Sequence, residues 1–385
     1  MLQYRQETLK GRRVMTHRER VRAVLHYQPV DRIPLVHFGF WNETYEKFAA
    51  EGHISPRLDE NGQPDGFSER AVAEQLGFDF GWDPSAGGQT GLYPGFKSKV
   101  IEEFPDGSRH ELNGDGVIIK VRPGAVSIPA EIGHTLVDRE SWEKEYLPRL
   151  RFSHNRVPIF SKERIEAFNN SEFPVGVHCG SLYGNFRNYA GVVGTCYLLA
   201  DDEDLFQEII DTIADTCYNV TKGILEQGIK VDFGHFWEDI CFKNGPLVNP
   251  DVFEEFCGPH YQRITDLFAA HGCDIVSLDC DGCIDALIPT WLNHGVNTMF
   301  PIEVGTWEAS IAPWRKQYGK ALRGVGGMDK RVFAQDYAAV DKEIERLRAL
   351  TELGGYIPCP DHRIPPDAKW ENIQYYCDRF RKVFG

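Results

Sequence analysis

The sequence predicts an α/β fold: a single (β/α)8 barrel with a β-hairpin insertion after its second strand. Three observations predict it. Eight short apolar runs recur along the chain, at 34–38, 78–82, 173–179, 230–236, 274–279, 296–302, 321–327 and 355–359. Most are separated by a helix-length segment, which parallel neighbours require. The one stretch that breaks this alternation, 88–135, carries hairpin signals of its own. A chain of 385 residues is within reach of one barrel with insertions, so length does not force a second domain.

The elements follow in order. Residues 1–15 read as a flexible lead-in and 16–385 as the barrel. Thr16 with Glu19 three residues on forms a capping-box pattern, and it opens a helix over 16–27 that stops before Pro29. The runs 100–104, 109–112 and 117–121 alternate around PDG and NGDG, both strong turn signals. They read as an antiparallel insertion that could serve as a lid. Over 201–227, Leu205, Ile209, Ile213 and Val220 recur at helical spacing. The next helix starts at Asn249 or Asp251, gathers Phe253, Phe256, Tyr261, Ile264 and Phe268 on one side, and ends at Gly272. A shorter helix, 285–292, is broken by Gly295.

Composition narrows the function. The chain is 42% hydrophobic and 26% charged, an ordinary globular mix. Its net charge of −15 argues against nucleic acid and anionic membranes as partners. It favours a small molecule or a protein, and a homodimer is compatible with it. The ten cysteines lie between Cys179 and Cys377, with one C-x-x-C at Cys280 and Cys283. They read as reduced thiols in a cytoplasmic protein. The N-terminus has no signal-peptide core, and no run approaches the ~20 apolar residues of a membrane helix.

In a barrel, chemistry gathers at the C-terminal ends of the strands. The fourth run ends in His235, Phe236, Trp237, Glu238 and Asp239. Two adjacent carboxylates beside a core need partners, so Glu238 and Asp239 read as metal ligands, acid/base groups, or a capping or ion-pairing pair. The fifth run ends in Asp279, Cys280, Asp281 and Gly282. Strand alternation puts Asp279 and Asp281 on one side, where they repel unless a cation or a shared proton joins them. Cys280 is the alternative. The eighth run leads into Cys359, Asp361, His362 and Arg363, stiffened by Pro358, Pro360, Pro365 and Pro366. The first run offers His37 and Trp41, and the third offers His178 with Tyr183 and Tyr189 after it. With His235, these could line an aromatic pocket. Asp79 lies within the second run and Asp83 directly follows it.

Several segments resemble the uroporphyrinogen-decarboxylase-like superfamily. They are 16–20 with 30–34, WEDICFKNGPLVNP (237–250), LDCDGCIDALIP (278–289), NTMFPIE (297–303), GGMDKR (326–331) and GGYIPCPDHRIPPD (354–367). The resemblance covers nearly the whole chain after Met15 and implies the (β/α)8 barrel. True uroporphyrinogen decarboxylases open with an M-R-Q-A-G-R-Y segment whose arginines hold the substrate's carboxylates. The corresponding stretch here, 36–41, has no arginine, and aromatic rings do not replace that pairing. The resemblance is therefore closer to the corrinoid-linked methyltransferases. Several of these carry zinc on an H-x-C pair and a later cysteine. Asp279-x-Asp281 has the same spacing here, and the later cysteine's place falls at or near His362.

The resemblance implies a metal-dependent methyltransferase that moves a methyl group from a small, methoxylated substrate to a corrinoid protein. Zinc would sit on Glu238, Asp279, Asp281 and His362, with Cys280 and Cys359 as alternatives. Glu238, Asp239 and Asp281 would be catalytic. His37, Trp41, Asp83, His178, Tyr183, Tyr189 and His235 would bind substrate. Two other expectations stand beside it: a metal-free decarboxylase using Asp79 or Asp83, and a non-catalytic small-molecule-binding barrel.

Overall fold

The computed structural model describes residues 14–59, 63–123 and 129–385. The predicted lead-in falls outside the described residues up to position 13, and so does 124–128 within the predicted insertion. In chain order the strands are β1 Val36–His37, β2 Phe80–Gly81, β3 Lys99–Glu103, β4 Arg109–Leu112, β5 Val117–Val121, β6 Ala130–His134 and β7 Gly176–Gly180. They continue with β8 Phe233–Trp237, β9 Cys241–Phe242, β10 Gly245–Pro246, β11 Val276–Asp279, β12 Thr298–Phe300, β13 Arg323–Met328 and β14 Tyr356–Pro360. Each of the eight predicted runs holds one strand. The chain divides into two compact units. The first is Met1–Asp83, Asn170–Val175 and Asn297–Gly385; the second is Pro84–Asn169 and Gly176–Val296.

In the first unit, β1 pairs parallel with β2, His37 opposite Gly81. The strands β12, β13 and β14 also run parallel, with Val325 opposite Ile357. The helix His17–Leu25 begins as its sequence requires. Thr16 Oγ1 accepts from Glu19 N–H at 3.2 Å, and Glu19 returns a carboxylate to Thr16 N–H at 2.7 Å. Leu25, Leu35, Val36, Phe48, Val325, Ile344, Ile357 and Ile373 form the interior. Asp79 is bound into it by structure: Arg32 Nη1 and Nη2 donate at 2.6 and 3.0 Å, and Leu35 N–H at 2.8 Å. Burial opposes its ionisation, but these donors and the arginine charge win and hold its pKa low. The expectation that Asp79 stabilises charge on a substrate is corrected accordingly, because its oxygens are already committed.

In the second unit, β7, β8 and β11 form a parallel ladder with His178 opposite His235 and His235 opposite Ser277. Residues 99–134 form a separate antiparallel sheet in the order β3-β4-β5-β6. Its fourth strand, β6, escaped the sequence reading because AEIGH lacks clear alternation. The long helices are amphipathic as expected: Glu203–Leu225, capped by Asp202 on Leu205 N–H, and Pro250–Ala270, capped by Asn249 on Asp251 N–H. The predicted helix over 285–292 is shorter, Ile288–Asn293.

The helix Tyr183–Asp201 was not foreseen. Glycines at 184, 191 and 194 disguise its pattern, and Gly191 interrupts it with φ +73°. Among the described residues no helix is long and apolar enough to cross a membrane.

Candidate active site

The sequence-predicted residues gather into two groups, one within each unit. In the second unit the ends of β8 and β11 lie side by side, Trp237 opposite Asp279, and Glu238 N–H continues the ladder to Asp279 O at 2.8 Å. Here Asp239, Asp279 and Asp281 each bring one carboxylate oxygen within 4.8 Å of the others, all three half-buried. The backbone is bent to do this. Asp239 has φ +48°, which a non-glycine residue adopts reluctantly, and Arg187 Nη2 donates to its carbonyl at 2.9 Å. Asp281 N–H donates to Asp239 Oδ1 at 3.1 Å, tying the two strand ends together. Gly282 turns the chain at φ +87°, and a Cβ there would lie 2.4 Å from Cys241 O, so only glycine fits.

Glu238 has a different role from the one expected. It is fully buried. Its carboxylate accepts Leu182 N–H at 2.8 Å, Tyr183 N–H at 3.1 Å, Gly184 N–H at 2.7 Å, Ser181 Oγ at 3.0 Å and Tyr261 Oη. These N–H groups are the unpaired donors at the start of helix Tyr183–Asp201, where a negative charge is favoured. Burial pushes its pKa up, and the Tyr261 hydroxyl and backbone donors oppose that shift. Glu238 is therefore an anchor for the helix rather than a metal ligand, since both oxygens are occupied.

The thiol alternatives are corrected for a related reason. Cys280 and Cys359 are buried, and burial raises both thiols far above the ordinary range; the group of three carboxylates is formed without either. Tyr183 and Tyr189 are also buried and turn into the core rather than a pocket, Tyr183 against Phe186 and Phe206, Tyr189 against Tyr146. His235 is buried with Nδ1 2.7 Å from Ser277 Oγ. Burial, then the neighbouring His178, lowers its pKa to about 3, which keeps the ring neutral. Half-buried His178 is also lowered by desolvation.

The second group belongs to the first unit and surrounds the exits of β1, β2 and β14. His37 is buried, and its Nδ1 accepts from Gly39 N–H at 3.0 Å, so the ring proton rests on Nε2. Burial, then the Arg363 charge, lowers its pKa to about 3. Asp83 is exposed to solvent yet crowded by protein. Desolvation, then the Glu69 charge, pushes its carboxyl up to about 6. A Cβ on Gly81 would lie 2.9 Å from His37 Cε1 and 3.0 Å from Asp83 Oδ2, which places both side chains over that glycine.

His362 is packed here, stacked on Trp41 at 5.4 Å and edge-on to Phe38 at 5.2 Å. It is thus an aromatic wall residue in this unit, and the carboxylate group of the second unit is formed without it. Sequence reasoning missed Glu69, which carries no local signal. It noted Arg363 only as part of the proline-stiffened loop.

A family model described as Uroporphyrinogen decarboxylase (URO-D) matches residues 163–383, more than half of the chain. No curated protein sequence matches. Among solved structures, a methyltransferase from Methanosarcina mazei is 14% identical with a TM-score of 0.56, and the match covers 95% of this chain and 99% of that one. A B12-independent methionine synthase from Shewanella sp. W3-18-1 is 10% identical with a TM-score of 0.44, covering 91% of this chain and 98% of that one. At such identities the first likeness speaks for the fold, and the second carries no argument.

Proposed function

This chain belongs to the uroporphyrinogen decarboxylase family, and on that premise we propose that it is a metal-dependent methyltransferase acting on a small methoxylated molecule. The observation that carries the reading is the convergence of Asp239, Asp279 and Asp281 at the ends of two neighbouring parallel strands. Three carboxylates this close repel one another, and a divalent cation removes that cost. The donor set fits such an ion: three hard oxygens, half-buried, on a backbone pinned by Arg187 and Gly282. Oxygen donors suit zinc or another divalent ion holding an oxygen substrate, and they do not suit thiol activation.

Asp239, Asp279 and Asp281 would hold the ion. When bound, it supplies Lewis acidity toward the heteroatom that carries the methyl group. The chain's own residues position that ion: Arg187 and Gly282 fix the backbone at the two strand ends, and Glu238 fixes the helix start beside Ser181. The methyl acceptor in this reading is a corrinoid carried by a partner protein. The eight parallel strands close, on this reading, as one (β/α)8 barrel over 16–385. Its insertion is the antiparallel sheet.

Elemental analysis of the purified chain tests the proposal, followed by methyl transfer from methoxylated probes to a corrinoid protein. About one divalent ion per chain is expected, falling at least tenfold in affinity in Asp281→Asn. Full metal content and full activity in that variant refute it.

A second reading has one observation in its favour. A carboxyl pushed to about 6, as at Asp83, can stay protonated or titrate near neutrality and serve a metal-free decarboxylase. Release of carbon dioxide by metal-free protein, lost in Asp83→Asn, would decide for it.

A further inference from the structure

We propose that the first unit binds a phosphate-bearing anion between Arg323 and Lys320, at the entry end of β13 and β14. This is the far end of those strands from the His362 group of the same unit. The proposal stands independently of the methyltransferase reading.

Three cations gather there on one ring. The Arg315 guanidinium lies 4.8 Å from the centre of the Tyr27 ring, the Lys320 ammonium 5.1 Å and the Arg323 guanidinium 5.9 Å. Acidic side chains outnumber basic ones 57 to 42 along the chain, yet among the described residues none of these three forms an ion pair with a carboxylate. Like charges this close repel, and a bound anion removes that cost.

The site is built before any ligand arrives. Tyr27 has φ +59°, which a non-glycine residue adopts reluctantly. Its hydroxyl shares its proton between Leu322 O at 3.0 Å and Lys320 O at 3.1 Å. The ring also needs a glycine beside it, because a Cβ on Gly355 would lie 2.5 Å from Tyr27 Cζ. Lys320 and Arg323, on either side of Leu322, are thus tied to a fixed ring.

Helix capping uses part of the cationic charge. Arg323 Nε donates at 2.6 Å to Leu25 O, the last carbonyl of helix His17–Leu25, and Arg315 Nη1 donates to Leu353 O at 3.3 Å. Arg315 is enclosed against Tyr27 with Nε and Nη2 buried, so it adds positive charge without offering a contact. The two terminal nitrogens of half-buried Arg323 and the ammonium of exposed Lys320 make no hydrogen bond among the described residues. These are the groups an incoming anion meets. A guanidinium fork reaches two oxygens of a tetrahedral anion, and the lysine adds a point charge. The enclosed third cation favours a dianion over a monocarboxylate.

The full chain is titrated at low ionic strength with orthophosphate, glycerol 3-phosphate and acetate, each matched against sodium chloride, by calorimetry and thermal unfolding. Phosphate is expected to bind at least about tenfold more tightly than acetate. At about a hundred times its Kd it should raise the ratio of folded to unfolded chains about a hundredfold. Arg323→Gln should weaken phosphate binding on the order of tenfold, and Arg323→Lys less. Lys320→Gln removes no hydrogen bond of the side chain, so stability in chloride should match wild type while phosphate binding weakens severalfold. Tighter binding of the ester than of free phosphate assigns the site to an organic phosphate, and the reverse assigns it to the free ion. No stabilisation beyond that given by chloride, acetate binding as tight as phosphate, or wild-type phosphate binding in both Lys320→Gln and Arg323→Gln overturns the proposal.

Discussion

Replacing Glu238 by glutamine separates an anchor from a metal ligand. The side chain keeps its size, but one acceptor oxygen becomes an NH2 donor. Its least harmful placement is at the Oε1 position, where Tyr261 Oη can rotate to accept and Leu182 N–H cannot. One buried backbone N–H is then left facing a donor, which costs about 1–3 kcal/mol. The three contacts at Oε2, from Ser181, Tyr183 and Gly184, lose their charge assistance, and the helix start loses its anion. Together these add about 2 kcal/mol. The expected loss of stability is therefore about 3–5 kcal/mol.

Denaturant unfolding followed by circular dichroism measures it, and amide exchange at 182–184 shows where the structure loosens. Metal content per folded chain should stay at the wild-type level. A stability loss under about 1 kcal/mol, or selective loss of metal from a fully stable protein, would refute the anchor and return Glu238 to the ligand set.

Two further outcomes follow from the first unit. The folded pKa of Asp83, about 6, lies above the ordinary 3.8, so the folded state holds its proton more tightly than the unfolded chain does. Its favourable contribution is complete below the unfolded value and disappears as pH rises through about 6, with Glu69, Arg363, His37 and Cys359 as the surrounding titratable or charged groups. Asp83→Asn should therefore flatten stability between pH 4 and 6 and gain slightly on wild type above that window; parallel curves in an unfolding series would contradict it. Gly39→Ala must adopt φ +90° and displace Arg363 and Glu69. A loss of about 1–2 kcal/mol is expected in denaturant unfolding, and an unchanged midpoint would show that Arg363 and Glu69 move aside without cost.

Much of this protein could be read from its residues in order. Each of the eight parallel strands lies in a short apolar run, and for most of them, β2 excepted, burial on both faces makes the run visible without knowing its partners. Thr16 with Glu19, and Asn249, are local caps, so their helices start where the sequence marks them. Alternation in the sequence singles out Asp279 and Asp281, although β11 ends at Asp279 and Asp281 is held beside it through its N–H bond to Asp239 Oδ1.

Other assignments needed the fold. Glu238 and Asp239 are neighbours in sequence, yet one is buried under a helix start and the other joins the carboxylate group. That separation depends on the positive φ of Asp239 and on donors from 181–184 and Tyr261. Likewise, Glu69 meets Arg363 across 294 positions, held by the bridge between Phe40 and Ile364. Sequence determined which segments form strands and which strand ends carry charge, because those follow from local periodicity. Tertiary structure decided which charges are satisfied and which remain available, because hydrogen-bond satisfaction depends on groups that the chain brings together only when it folds.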